Sequence, residues 1–197
     1  MTIAVGWCES PFGLWRIEAT REGVRKIVRV SDGTTRSLPG PSQDAGSPGH
    51  EAAGQAHRTA EPPHTPGDPA SEAVERLRSQ LAMYFAGDLH VFEVPLDLSE
   101  LGDFARRLTE TLASVPYGTT VTYAQLAAMS GAPRAARAVG GFCKRNPLPI
   151  VVPCHRVVRS DGTLGGYALG VDLKRRLLRL EGVDFDANTL PGRRCAR

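Results

Sequence analysis

Forty consecutive residues, 31–70, divide this chain more sharply than any other stretch. They hold seven prolines and six glycines, and Leu38 is their only large aliphatic residue. Such a segment cannot bury enough apolar surface to offset the entropy of ordering it. It is read as a disordered insertion, so a fold must be assembled from what precedes Ser31 and follows Ala70. At 197 residues the chain has room for one large domain or two small ones.

Upstream, Leu14-Trp15-Arg16-Ile17-Glu18-Ala19 alternates, Arg21-Glu22-Gly23 turns, and 24–30 continues the pattern, which predicts strands within 2–30. Downstream, Ala73, Leu77, Leu81 and Phe85 predict a helix near Ser71–Phe85, stopped by Gly87. Val91–Leu96 reads as a strand. Asp103 is placed to cap a helix carrying Phe104, Leu108, Leu112 and Val115. The fold class is therefore α+β.

Thr122-Tyr123-Ala124-Gln125 is a capping box, in which the Thr hydroxyl and the Gln side chain satisfy each other's backbone amides. The short helix it opens ends at Ser130-Gly131, and Pro133 is placed at the first position of the next helix, where its missing N–H costs nothing. Two short helices joined at a glycine predict a helix-turn-helix. The second, 134–142, is lined by Ala135, Ala136, Ala138, Gly140 and Gly141. Small residues let a backbone approach closely, either a ligand's or a neighbouring helix's. Arg134 and Arg137, spaced i and i+3, favour a nucleic-acid surface. Charge agrees without deciding: residues 1–100 carry 9 Lys/Arg against 14 Asp/Glu (net −5), and 101–197 carry 15 against 7 (net +8).

Chemistry concentrates in Ile150-Val151-Val152-Pro153-Cys154-His155-Arg156-Val157-Val158. A thiol is nucleophilic only as thiolate, and neighbouring cations lower its pKa. His155 can take the proton, and His155 and Arg156 can favour the anion; the other reading is a buried, inert Cys. An amphipathic helix from about Val171 through Leu180 follows, with Gly182 at its C-terminal cap. Glu181 in its last turn opposes the helix dipole by roughly 0.3–1 kcal/mol. A buried partner such as His155 would offset that, and an exposed Glu would need none.

No run of 18 apolar residues is present, so no membrane span is expected. The N-terminus lacks a basic region followed by an apolar one, so no signal peptide is read. Cysteines at 8, 143, 154 and 195 form no Cys-x-x-Cys pair. A reducing, cytoplasmic location is expected.

Taken together, Val115-Pro116-Tyr117-Gly118-Thr119-Thr120-Val121-Thr122-Tyr123, Ala135–Gly140, Asn146-Pro147, Pro153–Val157, Gly165-Gly166-Tyr167 and Leu177–Gly182 resemble the O6-alkylguanine-DNA alkyltransferases, or methylated-DNA–protein-cysteine methyltransferases. The likeness covers roughly Phe104 to Gly182 and, more loosely, Ser71 onward. It implies a small α/β N-terminal domain (1–98, carrying the insertion at about 31–70). A mainly helical, winged-helix-like catalytic and DNA-binding domain (99–184) and a flexible tail (185–197) follow.

The resemblance further implies direct-reversal DNA repair. The partner is double-stranded DNA with alkylated bases, entered through the minor groove and with the damaged nucleotide rotated out. Arg137 would fill the vacated space and Tyr123 would crowd the phosphate. Cys154 would take the alkyl group irreversibly, acting once per molecule. Glu181 would orient His155, which would withdraw the thiol proton through a water. Asn146 would tie the recognition helix to the active-site turn, and Tyr167 would donate to the guanine ring. Pro149, Val157 and Ala168 would line the pocket, and Arg134 and Ala136 would face DNA. No cofactor and no metal are expected, and the protein is expected to be a monomer.

Two departures stand out. Leu108-Thr109 occupy positions where relatives often have Val-Trp, which concerns packing, and Cys143-Lys144 replace small residues. Two other readings differ in kind. A lesion-flagging relative usually has Trp in place of Cys154. A helix-turn-helix regulator with a structural Cys would bind DNA regardless of alkylation.

Overall fold

The computed structural model describes residues 3–30 and 67–185. Most of the predicted insertion, and the predicted tail beyond Phe185, lie outside the described residues. The first strands form as expected. β1 (Ala4–Ser10), β2 (Gly13–Thr20) and β3 (Gly23–Val30) make an antiparallel meander in that order. The alternation on β2 puts Trp15, Ile17 and Ala19 on its buried face.

Helix α1 (Pro69–Ala86) covers that face. It begins ahead of the predicted Ser71 because Asp68 and Pro69 start it together. Asp68 accepts from the Ser71 N–H at 3.2 Å, and Pro69 has no amide to lose. Val74, Leu77 and Leu81 are fully buried, each stabilising the fold by about 1.5–3 kcal/mol relative to exposure. Phe85 stacks on Phe12 and Trp15.

The predicted strand at Val91–Leu96 is a correction. The segment meets β3 only through one parallel bridge, Val24 to Leu96, with Val24 N–H donating to Pro95 O at 2.8 Å and Asp97 N–H to Val24 O at 2.9 Å. Pro95 has no N–H with which to extend a ladder, and Val91 is 69% exposed.

Helix α2 (Asp103–Ala113) starts after Gly102, so Asp103 is its first helical residue and not its cap. There its carboxylate serves the positive end of the helix dipole. Leu108 and Thr109 are both buried, and Thr109 Oγ1 donates to Ala105 O at 3.0 Å.

Strand β4 (Val121–Thr122) pairs in parallel with β5 (Val157–Val158). Helix α3 (Tyr123–Met129) opens on the predicted capping box: Gln125 N–H donates to Thr122 Oγ1 at 3.1 Å and Thr122 N–H to Gln125 Oε1 at 2.8 Å. Helix α4 (Ala136–Arg145) packs on α3 but starts at Ala136, not Pro133. Residues 132–135 first close a turn, with Ala135 N–H on Ala132 O at 2.8 Å. Arg134 therefore lies in the turn, and its predicted i,i+3 pairing with Arg137 on one helical face does not occur. Helix α5 (Val171–Leu180) matches its expected span.

One contiguous apolar cluster joins the two halves, from Trp15, Ile17, Leu77 and Leu81 to Leu112, Leu126, Val139, Ile150 and Leu177. The Cys154 loop sits against this cluster, so its position depends on elements from both ends of the chain.

Candidate active site

The loop from α4 to β5 is held by one side chain and one unusual backbone. Asn146, at the C-terminal end of α4, donates through Nδ2 to Val152 O at 2.8 Å and to Cys154 Sγ at 3.1 Å. Its Oδ1 accepts from the Leu148 N–H at 3.0 Å. Between these anchors Ile150, fully buried, has φ +78°. A β-branched residue in the left-handed region carries about 1–3 kcal/mol of strain. Pro153 (φ −80°, ψ 62°) forms an inverse γ-turn, with Cys154 N–H on Val152 O at 2.8 Å. The chain then enters a single 3-10 turn, Cys154–Arg156, which aims the thiol at Asn146 and the next two side chains inward.

Those side chains meet Glu181, which is buried at the end of α5. Glu181 Oε1 accepts from Tyr84 Oη (2.7 Å), His155 Nε2 (2.8 Å) and Arg156 Nη2 (3.0 Å). Its Oε2 accepts from Arg156 Nε (2.9 Å) and the Gly118 amide (3.3 Å). Gly118 has φ +70°, and a Cβ there would stand 2.8 Å from Glu181 O, so no other residue fits that approach. Burial pushes the Glu181 carboxyl up, but the donors from His155 and Arg156 outweigh it and hold the group down to about 2.

His155 is fully buried, and burial lowers its pKa against the opposing pull of Glu181. With the imidazole neutral, the charge that keeps Glu181 ionised comes from Arg156. A carboxylate can only accept, so Nε2 carries the His155 proton and Nδ1 is left as a base. Among the described residues Nδ1 has no hydrogen-bond partner. Burial raises the Cys154 pKa, opposed by Asn146 and Lys174. The thiol therefore rests protonated, and its neighbour in sequence is a neutral imidazole whose Nδ1 has no partner among the described residues.

Two residues beyond the sequence reading complete the site. Tyr84, from α1, supplies the hydroxyl on Glu181. Lys174, fully buried in α5, donates through Nζ to the carbonyls of Val157, Leu164 and Gly166, and burial lowers it to about 8. It binds the loop carrying Tyr167 to the strand that follows Cys154. Tyr167 Oη is itself buried and, among the described residues, without a partner.

Tyr123, half-buried at the start of α3, lies against Gly165 and Gly140. Pro149 and Val157 are buried, and Ala168 is exposed on the loop after Tyr167. Ala136 is partly exposed, while Arg134 and Arg137 are exposed and pair with no acid among the described residues. The site thus unites Cys154, His155, Glu181, Asn146 and Lys174. Tyr123 and Tyr167 stand beside it, and the two arginines lie on the nearby surface.

Comparison with known proteins bears on this arrangement. Residues 103–183 match the family model of the 6-O-methylguanine DNA methyltransferase DNA-binding domain. A methylated-DNA–protein-cysteine methyltransferase of Methanothermobacter thermautotrophicus is 42% identical over 119 residues, covering 58% of this chain and 64% of that protein. The chain therefore matches just under two thirds of that relative's length. The Mycobacterium leprae protein of the same description is 46% identical over 57% of this chain and 68% of its own. The crystal structure of Mycobacterium tuberculosis OGT in complex with DNA superposes with a TM-score of 0.65 at 34% identity, covering 91% of this chain and 92% of that one.

Proposed function

Since the chain belongs to the methylated-DNA–protein-cysteine methyltransferases, we propose that it repairs DNA by moving an alkyl group from O6-alkylguanine to Cys154. The observation that carries this reading is the ordered set Glu181, His155 and Cys154. The carboxylate fixes the tautomer, the free Nδ1 is a base, and the thiol is protonated and held by Asn146. His155 takes the thiol proton through one water, and the thiolate displaces the alkyl carbon from the guanine oxygen. The S–C bond forms as the C–O bond breaks, and the proton ends on the departing guanine. Tyr167, whose hydroxyl lacks a partner among the described residues, donates to the ring as charge builds there. Pro149, Val157 and Ala168 line the pocket.

In this reading a winged-helix-like unit, 99–184, presents α4 to the minor groove through Ala136 and its neighbours, while 1–98 forms a supporting α/β domain. Arg137 enters the stack, Tyr123 presses on the backbone, and Arg134 meets phosphate. The protein works as a monomer in the cytoplasm, once per molecule, because a thioether at Cys154 has no route back. Intact and peptide mass after incubation with a duplex carrying one O6-methylguanine tests this. One methyl on the Cys154 peptide, saturating at one per protein and absent in Cys154→Ser, is expected. Binding without a mass change, or methyl on Cys143, would refute it.

A further inference from the structure

We infer that Arg159 binds the backbone phosphate of the nucleotide whose base enters the pocket, together with the Tyr123 hydroxyl. This rests on the reading of the pocket as an O6-alkylguanine site. Two side chains from separate elements converge over Gly165: a Cβ there would meet Tyr123 Oη at 3.2 Å and Arg159 Cγ at 3.3 Å. Gly165, at φ +67° and without a side chain, leaves them room to meet. The Tyr123 hydroxyl makes no hydrogen bond, and the Arg159 guanidinium makes no hydrogen bond or ion pair, with any described residue. The nearest acid in sequence, Asp161, accepts from the Thr163 amide (2.9 Å) and hydroxyl (2.7 Å) and feels Arg159 only as a charge through space.

The backbone of Arg159 is not free to wander. It leaves β5 directly, its N–H donates to Thr163 O at 3.0 Å, and its carbonyl accepts from the Gly162 N–H at 3.3 Å. The stem of Arg159 and the Tyr123 hydroxyl thus meet at Gly165, and a guanidinium and a hydroxyl that spend no hydrogen bond on a described residue can both donate to a tetrahedral anion. Arg159 follows β5, five residues after Cys154, whereas Arg134 and Arg137 belong to the turn before α4 and to α4 itself. Tyr123 is half-buried, so a DNA backbone meets its hydroxyl, and Arg159 beside it, when a nucleotide has rotated toward the thiol, whereas Arg134 and Arg137 have no such half-buried neighbour in this reading.

This location separates Arg159 from a general DNA-binding cation. Methyl transfer to Cys154 is followed in single turnover on an O6-methylguanine duplex across a salt series, beside affinity for the undamaged duplex. Arg159→Ala is expected to slow transfer about tenfold, the scale of one charge-assisted hydrogen bond. It should also reduce the log–log salt slope by about 0.9, one phosphate contact. Affinity for undamaged duplex should stay unchanged and Arg159→Lys should recover most of the rate. Because the side chain is exposed, the thermal midpoint should not move. An unchanged rate and slope would overturn the inference, and so would undamaged-duplex affinity falling in parallel with rate. Absence of methyl transfer in the wild-type protein would instead refute the proposed function.

Discussion

Replacing Glu181 by Gln keeps the shape of the side chain and removes the charge on which four groups converge. Arg156 Nε and Nη2, His155 Nε2 and Tyr84 Oη all donate to that carboxylate, with Gly118 N–H behind them. In the amide, one of the two acceptors becomes an NH2 facing another donor. Arg156 keeps its charge in a buried site, with Val115 O and at most the one amide oxygen left as acceptors and no counter-charge. Breaking a buried ion pair from one side costs about 3–5 kcal/mol. At roughly 2–4 °C per kcal/mol for a chain of this size, the thermal midpoint at pH 7 should fall by roughly 6–20 °C.

The pH dependence gives an independent check. Glu181 is held below its ordinary 4.5, down to about 2, so its contribution is present above 4.5 and is lost as pH falls toward 2. The gap between wild type and Glu181→Gln should therefore close over that window. His155, also lowered, adds a separate loss below about 6.5, because the unfolded chain takes up its proton first. Thermal unfolding followed by circular dichroism at pH 7 and pH 2.5 measures both effects. A midpoint within about 2 °C of wild type at pH 7, or a gap just as wide at pH 2.5, would refute the argument that this carboxylate is the charged centre of the site.

Two further substitutions read out other parts of the site. Lys174→Met leaves the carbonyls of Val157, Leu164 and Gly166 without their shared donor; about 2 kcal/mol of stability and much of the methyl-transfer rate should be lost. Lys174 is lowered from 10.5 to about 8, so the unfolded chain binds the extra proton between those values. Wild-type stability should gain a rising component there that chemical denaturation of the variant lacks. Cys143→Ala should leave methyl transfer intact. Burial pushes Cys143 from 9.0 up to about 12, so the stability lost by the wild type as pH rises through that range should be smaller in the variant.

What the sequence made legible was local or chemically loud. The Thr122–Gln125 capping box is a four-residue pattern, and α5 is a strongly amphipathic one. Cys154 and His155 are adjacent, and Glu181 was conspicuous because it sat at the wrong end of a helix dipole. Tyr84 and Lys174 were not legible for opposite reasons. Tyr84 falls among the apolar positions of α1, and its partner lies 97 residues away. Lys174 sits among Arg175, Arg176 and Arg179, where a cation is normally solvated; only the loop carbonyls folded over it make it internal. Pro133 shows a local rule overridden: a proline suited to a helix start is used in the turn before it. Pro95 shows that extended sequence becomes a strand only if its amides can pair.

The hydroxyl that Tyr84 offers to Glu181 has a consequence for how such a gene could be recombined. The matched family segment, 103–183, contains the thiol, the base and the carboxylate, and looks like a portable cassette. Yet one of the carboxylate's donors comes from α1, beyond the edge of that cassette. The apolar cluster is also shared across the same edge. Grafted onto another partner, the segment would carry all its reactive groups and still lack a ligand for their common acceptor. The proposed activity is thus tied to a helix that carries none of the chemistry, and a transplanted segment should work only if α1 travels with it.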